Sequence, residues 1–149
     1  MDFSIIIPAK NEEHNIGRCL DTIMALDYDR KRFEVLLIDN GSSDRTVEIA
    51  SAKGARVFIL PDVTISRLRN FGAEQAGGRI LAFLDADCTV AANWLQEAAR
   101  YLGDESTACF GSPPGLPDRA TWVQQAWYLV RRKKQPVEET AWLESMNMF

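Results

Sequence analysis

The most informative stretch of this chain is Arg79-Ile80-Leu81-Ala82-Phe83-Leu84-Asp85-Ala86-Asp87. Its apolar part, 80–84, has the length of a buried β-strand, and two carboxylates follow where that strand should end. In open α/β sheets, ligands bind at the carboxyl ends of the strands. Neighbouring carboxylates repel each other unless a cation or a hydrogen-bonding ligand lies between them, and a hard divalent ion that carries phosphates suits such a place. Taken alone, the Asp-x-Asp tripeptide fits a polar loop with a helix cap equally well.

Strand-like and helix-like segments alternate around this stretch. The predicted strands are residues 3–7, 33–38, 55–60 and 80–84, which are short and apolar. The predicted helices are residues 11–25, from 42, 43 or 44 to 52, 65–76, and from 89 to 102. Asn11 is the predicted N-cap of the first helix and Thr89 that of the fourth. This alternation predicts an α/β fold, with a parallel sheet and right-handed crossovers.

The order of the segments is less regular after residue 110. Three prolines between 113 and 117 predict a loop over 111–117. Residues 120–134 have helical spacing and end in the basic run 131–134, which fits a solvated helix end or a contact with phosphate or acidic lipid. The late apolar residues predict self-association, as a homodimer, through the region after residue 118. They are Trp122, Trp127, Trp142, Met146, Met148 and Phe149.

The composition is that of one globular domain. The chain has 149 residues, of which 46% are hydrophobic and 26% charged, and its net charge is −4. This balance, without a basic stripe, does not predict a nucleic-acid binder. Cys19, Cys88 and Cys109 show neither zinc-ligand spacing nor a disulfide framework, which favours a reducing cytoplasm. No apolar run in the sequence has the length of a membrane span.

Polar clusters follow three of the four predicted strands. They are Lys10-Asn11-Glu12, residues 39–44 and Asp85-Ala86-Asp87. Parallel strands place their carboxyl ends on one edge of the sheet, so we expect these clusters to form one site. The first strand is followed by neither a Gly-x-Gly-x-x-Gly fingerprint nor a Walker A lysine motif. The only histidine, His14, falls inside the predicted first helix, so a Ser-His-Asp triad is not expected.

Three blocks of the sequence resemble the family 2 inverting glycosyltransferases, which have the GT-A fold. The first block is Ser4-Ile5-Ile6-Ile7-Pro8-Ala9-Lys10-Asn11-Glu12-Glu13, and the second is Val35-Leu36-Leu37-Ile38-Asp39-Asn40-Gly41-Ser42-Ser43-Asp44-Arg45-Thr46. The third combines Arg69-Asn70-Phe71-Gly72-Ala73, Ala76-Gly77-Gly78 and Phe83-Leu84-Asp85-Ala86-Asp87. The blocks follow the family's order, and the resemblance covers residues 3–98.

The resemblance implies a GT-A (Rossmann-like) three-layer α/β/α fold with a mostly parallel central sheet, which we expect to be incomplete at its C-terminal side. Residues 1–110 would form the nucleotide-sugar-binding core, and residues 111–149 the start of the acceptor-side region. The implied activity is metal-dependent transfer, with inversion, from a nucleotide-diphosphate sugar (UDP- or GDP-linked) to an unidentified acceptor. Such enzymes serve cell-wall or polysaccharide biosynthesis.

The same resemblance implies roles for individual positions. Asp87 would bind Mg²⁺ or Mn²⁺, and Asp85 would contribute to that metal or face the ribose or the diphosphate. The other donor-binding positions are Pro8, Ala9, Lys10, Asn11, Glu12 and Asp39 for the base and ribose, Arg67 or Arg69 for a phosphate, and Asn70 in the same block. A carboxylate such as Asp39 can accept a charge-assisted hydrogen bond from a base N–H. The alternative for either arginine is an ordinary surface position on a helix.

Several departures from the family pattern bear on activity. Asn40 replaces the usual second aspartate, which removes one charge from the nucleotide pocket, and Lys10 stands where an aromatic or small residue is frequent. Inverting transfer needs a carboxylate that deprotonates the acceptor hydroxyl, and this catalytic base is not recognisable in the chain. Glu138, Glu139 and Glu144 are available carboxylates, but no motif assigns the role to one of them. Donor binding without transfer is therefore the alternative function.

Two other enzyme classes fit parts of the pattern. In a haloacid-dehalogenase-type phosphatase, Asp85 would be the nucleophile and Asp87 the acid–base residue, but that motif normally lies near the start of the domain. A nucleotidyltransferase would show a Gly-rich, basic loop after its first strand, which residues 8–12 do not match. The composition favours a cytoplasmic location, and the alternative is a longer parent protein that acts at the inner face of a membrane.

Overall fold

A computed structural model describes residues 1–103, 109–111, 115–116, 119–131 and 147–148 of the chain. The strands are β1 (Phe3–Ala9), β2 (Phe33–Asp39), β3 (Arg56–Ile59), β4 (Ile80–Leu84) and β5 (Asn147–Met148). The helices are α1 (Ile16–Met24), α2 (Thr46–Ala52), α3 (Ile65–Gln75), α4 (Trp94–Ala98) and α5 (Trp122–Arg131). Two short 3₁₀ turns are Arg30–Arg32 and Ala99–Tyr101.

The strands form one sheet in the order β3-β2-β1-β4-β5. The first four are parallel to one another, and the short β5, which the sequence did not predict, pairs antiparallel with β4. Ala9 at the end of β1 lies opposite Asp39 at the end of β2, and Ile6 lies opposite Phe83 of β4. The carboxyl ends of β1, β2 and β4 therefore share one edge, as the polar clusters predicted.

Helices cover both faces of the sheet. Ile5 and Ile7 of β1 pack into a core with α1, α2 and α4, whereas Ile6 packs on the opposite face with Leu36 and with Leu68 of α3. This separation follows from the two-residue period of a strand, which sends successive side chains to opposite faces. Each such buried aliphatic side chain contributes roughly 1.5–3 kcal/mol. The arrangement confirms the expected three-layer α/β/α fold with a mostly parallel sheet.

Helix α3 approaches the sheet closely at Gly72. A Cβ atom added there would clash with Ile6 and would lie 3.2 Å from Cγ1 of Ile38. A larger residue would push α3 away from β1. The side chains that α3 presents at the carboxyl ends of the strands, the carboxyl edge of the sheet, would move with it. Gly72 thus serves the packing of α3 on the sheet.

The predicted start of the first helix is wrong. Helix α1 begins at Ile16 rather than Asn11, and its N-cap is Asn15, which makes no side-chain capping hydrogen bond. Asn11 instead has a φ of 55°, in the left-handed region that asparagine tolerates better than most residues. The backbone amides of residues 11–13 donate to side chains of the loop after β2, and these bonds hold the segment out of the helix.

The predicted start of the fourth helix is wrong in the same way. Helix α4 begins at Trp94 with Asn93 as its N-cap, and Thr89 caps nothing. The backbone N–H of Val90 donates to the hydroxyl of Thr22 at 3.2 Å, so the segment before α4 is tied to α1. Helix α2 ends at Ala52 as predicted, but it begins at Thr46 with Arg45 as its N-cap, so the predicted start at 42, 43 or 44 is wrong. Asp44 nevertheless accepts a hydrogen bond from the N–H of Thr46 at 3.0 Å.

The region after residue 103 is described only in part. Helix α5 falls within the predicted helix 120–134, and its Trp122 and Leu129 are 79% and 68% exposed. Most of the predicted loop 111–117 and all of residues 132–146, with Glu138, Glu139 and Glu144, lie outside the described residues. The division at residue 110 stays a prediction. Among the described residues, no helix has the length and apolar character needed to cross a membrane.

Candidate nucleotide-sugar site

A cleft of about 310 Å³ opens at the carboxyl edge of the sheet. Its volume lies at the lower end of the range for small-molecule sites. The lining comes from the ends of β1 and β4, the residue after β2, and the first turns of α3. The residues are Pro8, Ala9, Lys10, Glu12, Asn40, Ile65, Leu68, Asp85, Ala86 and Asp87. The structure thus brings together all of the cluster 85–87, Lys10 and Glu12 of the first cluster, and Asn40 of the cluster 39–44, whereas Asn11 does not line the cleft.

The loop after β1 is held by the loop after β2. The N–H of Asn11 donates to Oγ of Ser42 at 2.8 Å, and Oδ1 of Asn11 accepts from the N–H of Ser43 at 2.9 Å. The N–H of Glu12 donates to Oγ1 of Thr46 at 2.7 Å. These bonds fix the cleft wall in advance of any ligand. Lys10 is exposed at the cleft and has no ion pair with another described residue.

Asp39 holds this loop through hydrogen bonds to Ser42. It ends β2, is 1% exposed, and accepts hydrogen bonds from both the N–H of Ser42, at 2.8 Å, and the Ser42 hydroxyl. Ser42 in turn accepts from Asn11, so the buried carboxylate fixes the loop geometry through one serine. Asp39 does not line the cleft. Its predicted contact with the nucleotide base stays a prediction.

Asp85 and Arg69 form an ion pair beside the cleft. Nη2 of Arg69 lies 2.8 Å from Oδ1 of Asp85, and the two side chains are 16% and 33% exposed. The Nε–H of Arg69 is buried and has no acceptor in the part of the chain that the structure describes. A buried donor without a partner costs about 1–3 kcal/mol. Holding the guanidinium of Arg69 in this position therefore lowers the stability of the fold.

The other two predicted residues of α3 lie elsewhere. Nη1 of Arg67 lies 2.9 Å from Oε1 of Glu74, in a pair whose side chains are about half exposed. Asn70 is exposed, and neither Arg67 nor Asn70 lines the cleft. Of the two arginines that the resemblance offered for a phosphate contact, the structure places only Arg69 in contact with a cleft residue.

Asp87 is exposed at the mouth of the cleft. Among the described residues, its carboxylate has only a weak contact with the thiol of Cys88, at 3.6 Å. Burial, followed by the nearby Asp87 and Asp85 carboxylates, raises the pKa of Cys88 to about 11. This thiol therefore stays protonated at neutral pH. The Asp87 oxygens are the polar atoms of the cleft most available to a cation.

The described residues contain no group of three or more His, Cys, Asp or Glu side chains that could hold a metal ion. Asp85 and Asp87 supply hard carboxylate oxygens, which are the ligands that Mg²⁺ and Mn²⁺ prefer. Mg²⁺ is commonly held by one or two carboxylates together with substrate phosphates and water. The two aspartates fit such a site. His14, with a 90% exposed side chain, has no part in it.

Sequence reasoning missed part of the lining. Ile65 and Leu68 form an apolar wall from the first turns of α3, and Ala86 lies between the two aspartates. Asn40, which belongs to the predicted cluster 39–44 and departs from the family pattern, lines the cleft as well. The sequence predicted a helix over 65–76, but nothing in it indicated that the face with Ile65 and Leu68 borders a cleft.

Solved structures of glycosyltransferases share this fold. Residues 1–349 of TarS from Staphylococcus aureus superimpose with a TM-score of 0.68 at 26% identity, over 79% of this chain and 39% of that one. The mannosyltransferase PcManGT from Pyrobaculum calidifontis, in complex with GDP-Man and Mn²⁺, gives 0.65 at 25% identity, over 72% and 34% of the two chains. The α/β sheet with its carboxyl-edge cleft is therefore that of a GT-A glycosyltransferase.

The sequence comparison gives the family. The profile of Glycosyl transferase family 2 matches residues 4–146, and the chain belongs to that family. Glycosyltransferase AglE from Haloferax volcanii is 41% identical over 105 residues, which are 66% of this chain and 34% of AglE. The chain thus spans about a third of the length of that relative. The resemblance seen in the three sequence blocks is confirmed, and the phosphatase and nucleotidyltransferase alternatives are set aside.

Proposed function

We propose that the cleft binds the nucleotide-diphosphate part of a sugar donor and that the protein transfers the sugar. The observation that carries the proposal is the convergence, at one sheet edge, of a preformed loop, the Arg69–Asp85 pair and the open carboxylate of Asp87. The loop after β1 and the apolar wall of Ile65 and Leu68 suit a base and a ribose. The part of the cleft that carries Asp85 and Asp87 suits a metal-bound diphosphate. Relatives support it: TarS structures contain UDP and UDP-GlcNAc, and PcManGT contains GDP-Man.

Asp87 and Asp85 are the residues that would hold Mg²⁺ or Mn²⁺. Such an ion neutralises diphosphate charge and stabilises the charge that grows on the leaving group. Mn²⁺ in the PcManGT structure supports this assignment. The protein's own part is to keep Asp87 unpaired, to hold Asp85 with Arg69, and to place both where a diphosphate would enter.

The transfer step, with inversion, needs a carboxylate base. The described cleft contains three carboxylates, and each has another task. Glu12 accepts from the side chain of Asn15 at 2.8 Å, Asp85 is paired with Arg69, and Asp87 is the proposed metal ligand. This observation favours, as a second candidate function, donor binding without turnover by this chain. Acceptor and donor sugar remain unassigned, and a cytoplasmic site of action stays a prediction.

Calorimetric titration with UDP and with GDP, with and without Mn²⁺, tests the donor site. We expect one nucleotide to bind in the presence of Mn²⁺ and the binding to weaken at least about a hundredfold in Asp87→Asn, since the metal loses its main protein ligand. Asp27→Asn is the matched control, because Asp27 is exposed and lies outside the cleft. Metal-independent binding that Asp87→Asn leaves unchanged would refute the metal site, and no binding of either nucleotide would refute the donor site.

Self-association through the region after residue 118 is a separate proposal. The exposed Trp122, Val123 and Leu129 on α5 support it, because apolar groups of this size are seldom left together in water. We expect light scattering to show a dimer at high micromolar concentration, and expect Trp122→Ser with Leu129→Ser to shift it towards monomer. A wild-type monomer at that concentration would contradict the proposal.

A further inference from the structure

Asn40 makes a double hydrogen bond to a neighbouring loop. Its Nδ2 donates to the carbonyl oxygen of Val63 at 3.1 Å, and its Oδ1 accepts from the N–H of Val63 at 3.2 Å. Only a side-chain amide supplies a donor and an acceptor in this arrangement. A carboxylate, which is usual at this position in the family pattern, would set a negative oxygen against the Val63 carbonyl.

The loop that Asn40 holds, residues 60–63, lies in a constrained conformation. Asp62 has a φ of 57°, which costs a residue other than glycine about 1 kcal/mol or more unless neighbours impose it. Gly41, with a φ of 72°, comes so close to this loop that an added Cβ would lie 3.0 Å from Cβ of Pro61. The N–H of Leu60 donates to the carbonyl oxygen of Asp39 at 2.8 Å. The loops after β2 and β3 therefore form one locked unit.

This unit sets the position of α3 relative to the cleft. The helix begins directly after the loop, with Thr64 as an N-cap that accepts from the N–H of Arg67. Its first turns supply the wall residues Ile65 and Leu68, and the next residue, Arg69, pairs with Asp85. Movement of the loop would therefore change both the width of the cleft and the approach of Arg69 to Asp85.

We propose that Asn40 is a positioning residue for donor binding, which clamps the loop before α3 so that the Ile65–Leu68 wall and the Arg69–Asp85 pair are preorganised. Because this role presupposes the donor site proposed above, two kinds of measurement are needed. One reports on the clamp in the free protein, and the other reports on affinity for the nucleotide.

The test compares Asn40→Ala and Asn40→Asp with Asn93→Ala and Asn93→Asp. Asn93 is the exposed N-cap of α4 and makes no side-chain capping bond. Amide hydrogen exchange at Val63 should accelerate about tenfold or more in both Asn40 variants. Affinity for UDP or GDP with Mn²⁺, measured well below the unfolding midpoint of each variant, should fall about tenfold in both, because lost preorganisation raises the cost of binding. In a turnover assay, KM should rise and kcat should change less.

The outcomes separate the two proposals. Faster Val63 exchange with weaker nucleotide binding, and Asn93 variants within twofold of wild type, would support the clamp. If Asn40→Ala binds the nucleotide as tightly as wild type does, the clamp is overturned. If affinity falls only in Asn40→Asp, added negative charge rather than loss of the clamp governs affinity, which also overturns the proposal. If wild type binds neither nucleotide, the proposal of a donor site is refuted. If amide exchange at Val63 is unchanged in Asn40→Ala, the clamp is refuted whether or not a nucleotide binds.

Discussion

Two carboxylates at opposite ends of the strands, Glu34 and Asp87, have opposite environments. At the amino edge, Glu34 accepts from the Ser4 hydroxyl at 2.8 Å and from the N–H of Gly77 at 2.7 Å, and it pairs with Arg56. At the carboxyl edge, Asp87 has only a weak thiol contact among the described residues. Both lie beside strands of the same core.

This difference separates a structural carboxylate from a binding one. The amino edge joins β1, β2, β3 and the turn before β4 through Glu34, and no oxygen of Glu34 is left for a ligand. Burial alone would raise the pKa of Glu34, but the bonds from Gly77, Ser4 and Arg56 together lower it. The carboxyl edge instead leaves the Asp87 carboxylate without a strong partner among the described residues, which favours binding at the expense of stability.

The largest expected effect is on stability, from Glu34→Ala. The Ser4 hydroxyl and the Gly77 N–H would lose their buried acceptor, and we expect a loss of about 2–3 kcal/mol in the free energy of unfolding. Urea denaturation measures it. Asp87→Ala is the contrasting variant at the other edge and should change stability by less than about 0.5 kcal/mol. Equal losses in the two variants would contradict the distinction between the edges.

The second effect separates the two arginines of α3. Arg69→Lys should weaken nucleotide binding about tenfold, because a lysine cannot reproduce the guanidinium geometry at Asp85. Arg67→Lys, on the surface beside Glu74, should stay within twofold of wild type. The measurement is calorimetric titration with Mn²⁺ and whichever nucleotide binds wild type. The reverse order would assign the phosphate contact to Arg67.

The smallest effect is the pH dependence that Glu34 contributes. Because its pKa is lowered in the folded state, its contribution is fully present above the unfolded value, about 4.3, and is lost as the pH falls through the lower folded value. We expect Glu34→Gln to cost about 1 kcal/mol at neutral pH and the difference from wild type to shrink below about pH 4. Urea titrations at several pH values measure this. Glu97→Gln, in an exposed pair with Arg100, is the control. A difference that grows in acid would show the sign to be wrong.

Much of the fold was predictable because it depends on local pattern. The alternation of apolar strands and helices predicted a parallel sheet. The carboxylates after 80–84 predicted which ends of its strands carry the cleft. The same signals placed Lys10, Glu12, Asp85 and Asp87 together, and the structure confirms that they share one cleft.

The rest depends on contacts between segments distant in the sequence. Asn11 fails as a helix cap because Ser42 and Ser43 bind it from another loop. The double bond of Asn40 to Val63 joins residues that no periodicity relates. Arg67 and Arg69 are the same residue type on the same predicted helix, so the sequence does not distinguish them. Only the geometry of α3 shows that Arg69 is the one that reaches Asp85.

The sheet order also constrains how the chain folds during synthesis. Strand β1 lies between β2 and β4, with Phe3 opposite both Phe33 and Ile80. Strand β1 therefore gains its second neighbour, β4, only after the intervening β2, β3 and three helices have been made. Until residues 80–84 are available, one side of a very apolar strand has no native partner, and exposed strand edges of this kind favour aggregation. The strand that precedes the two aspartates thus also completes the pairing of β1.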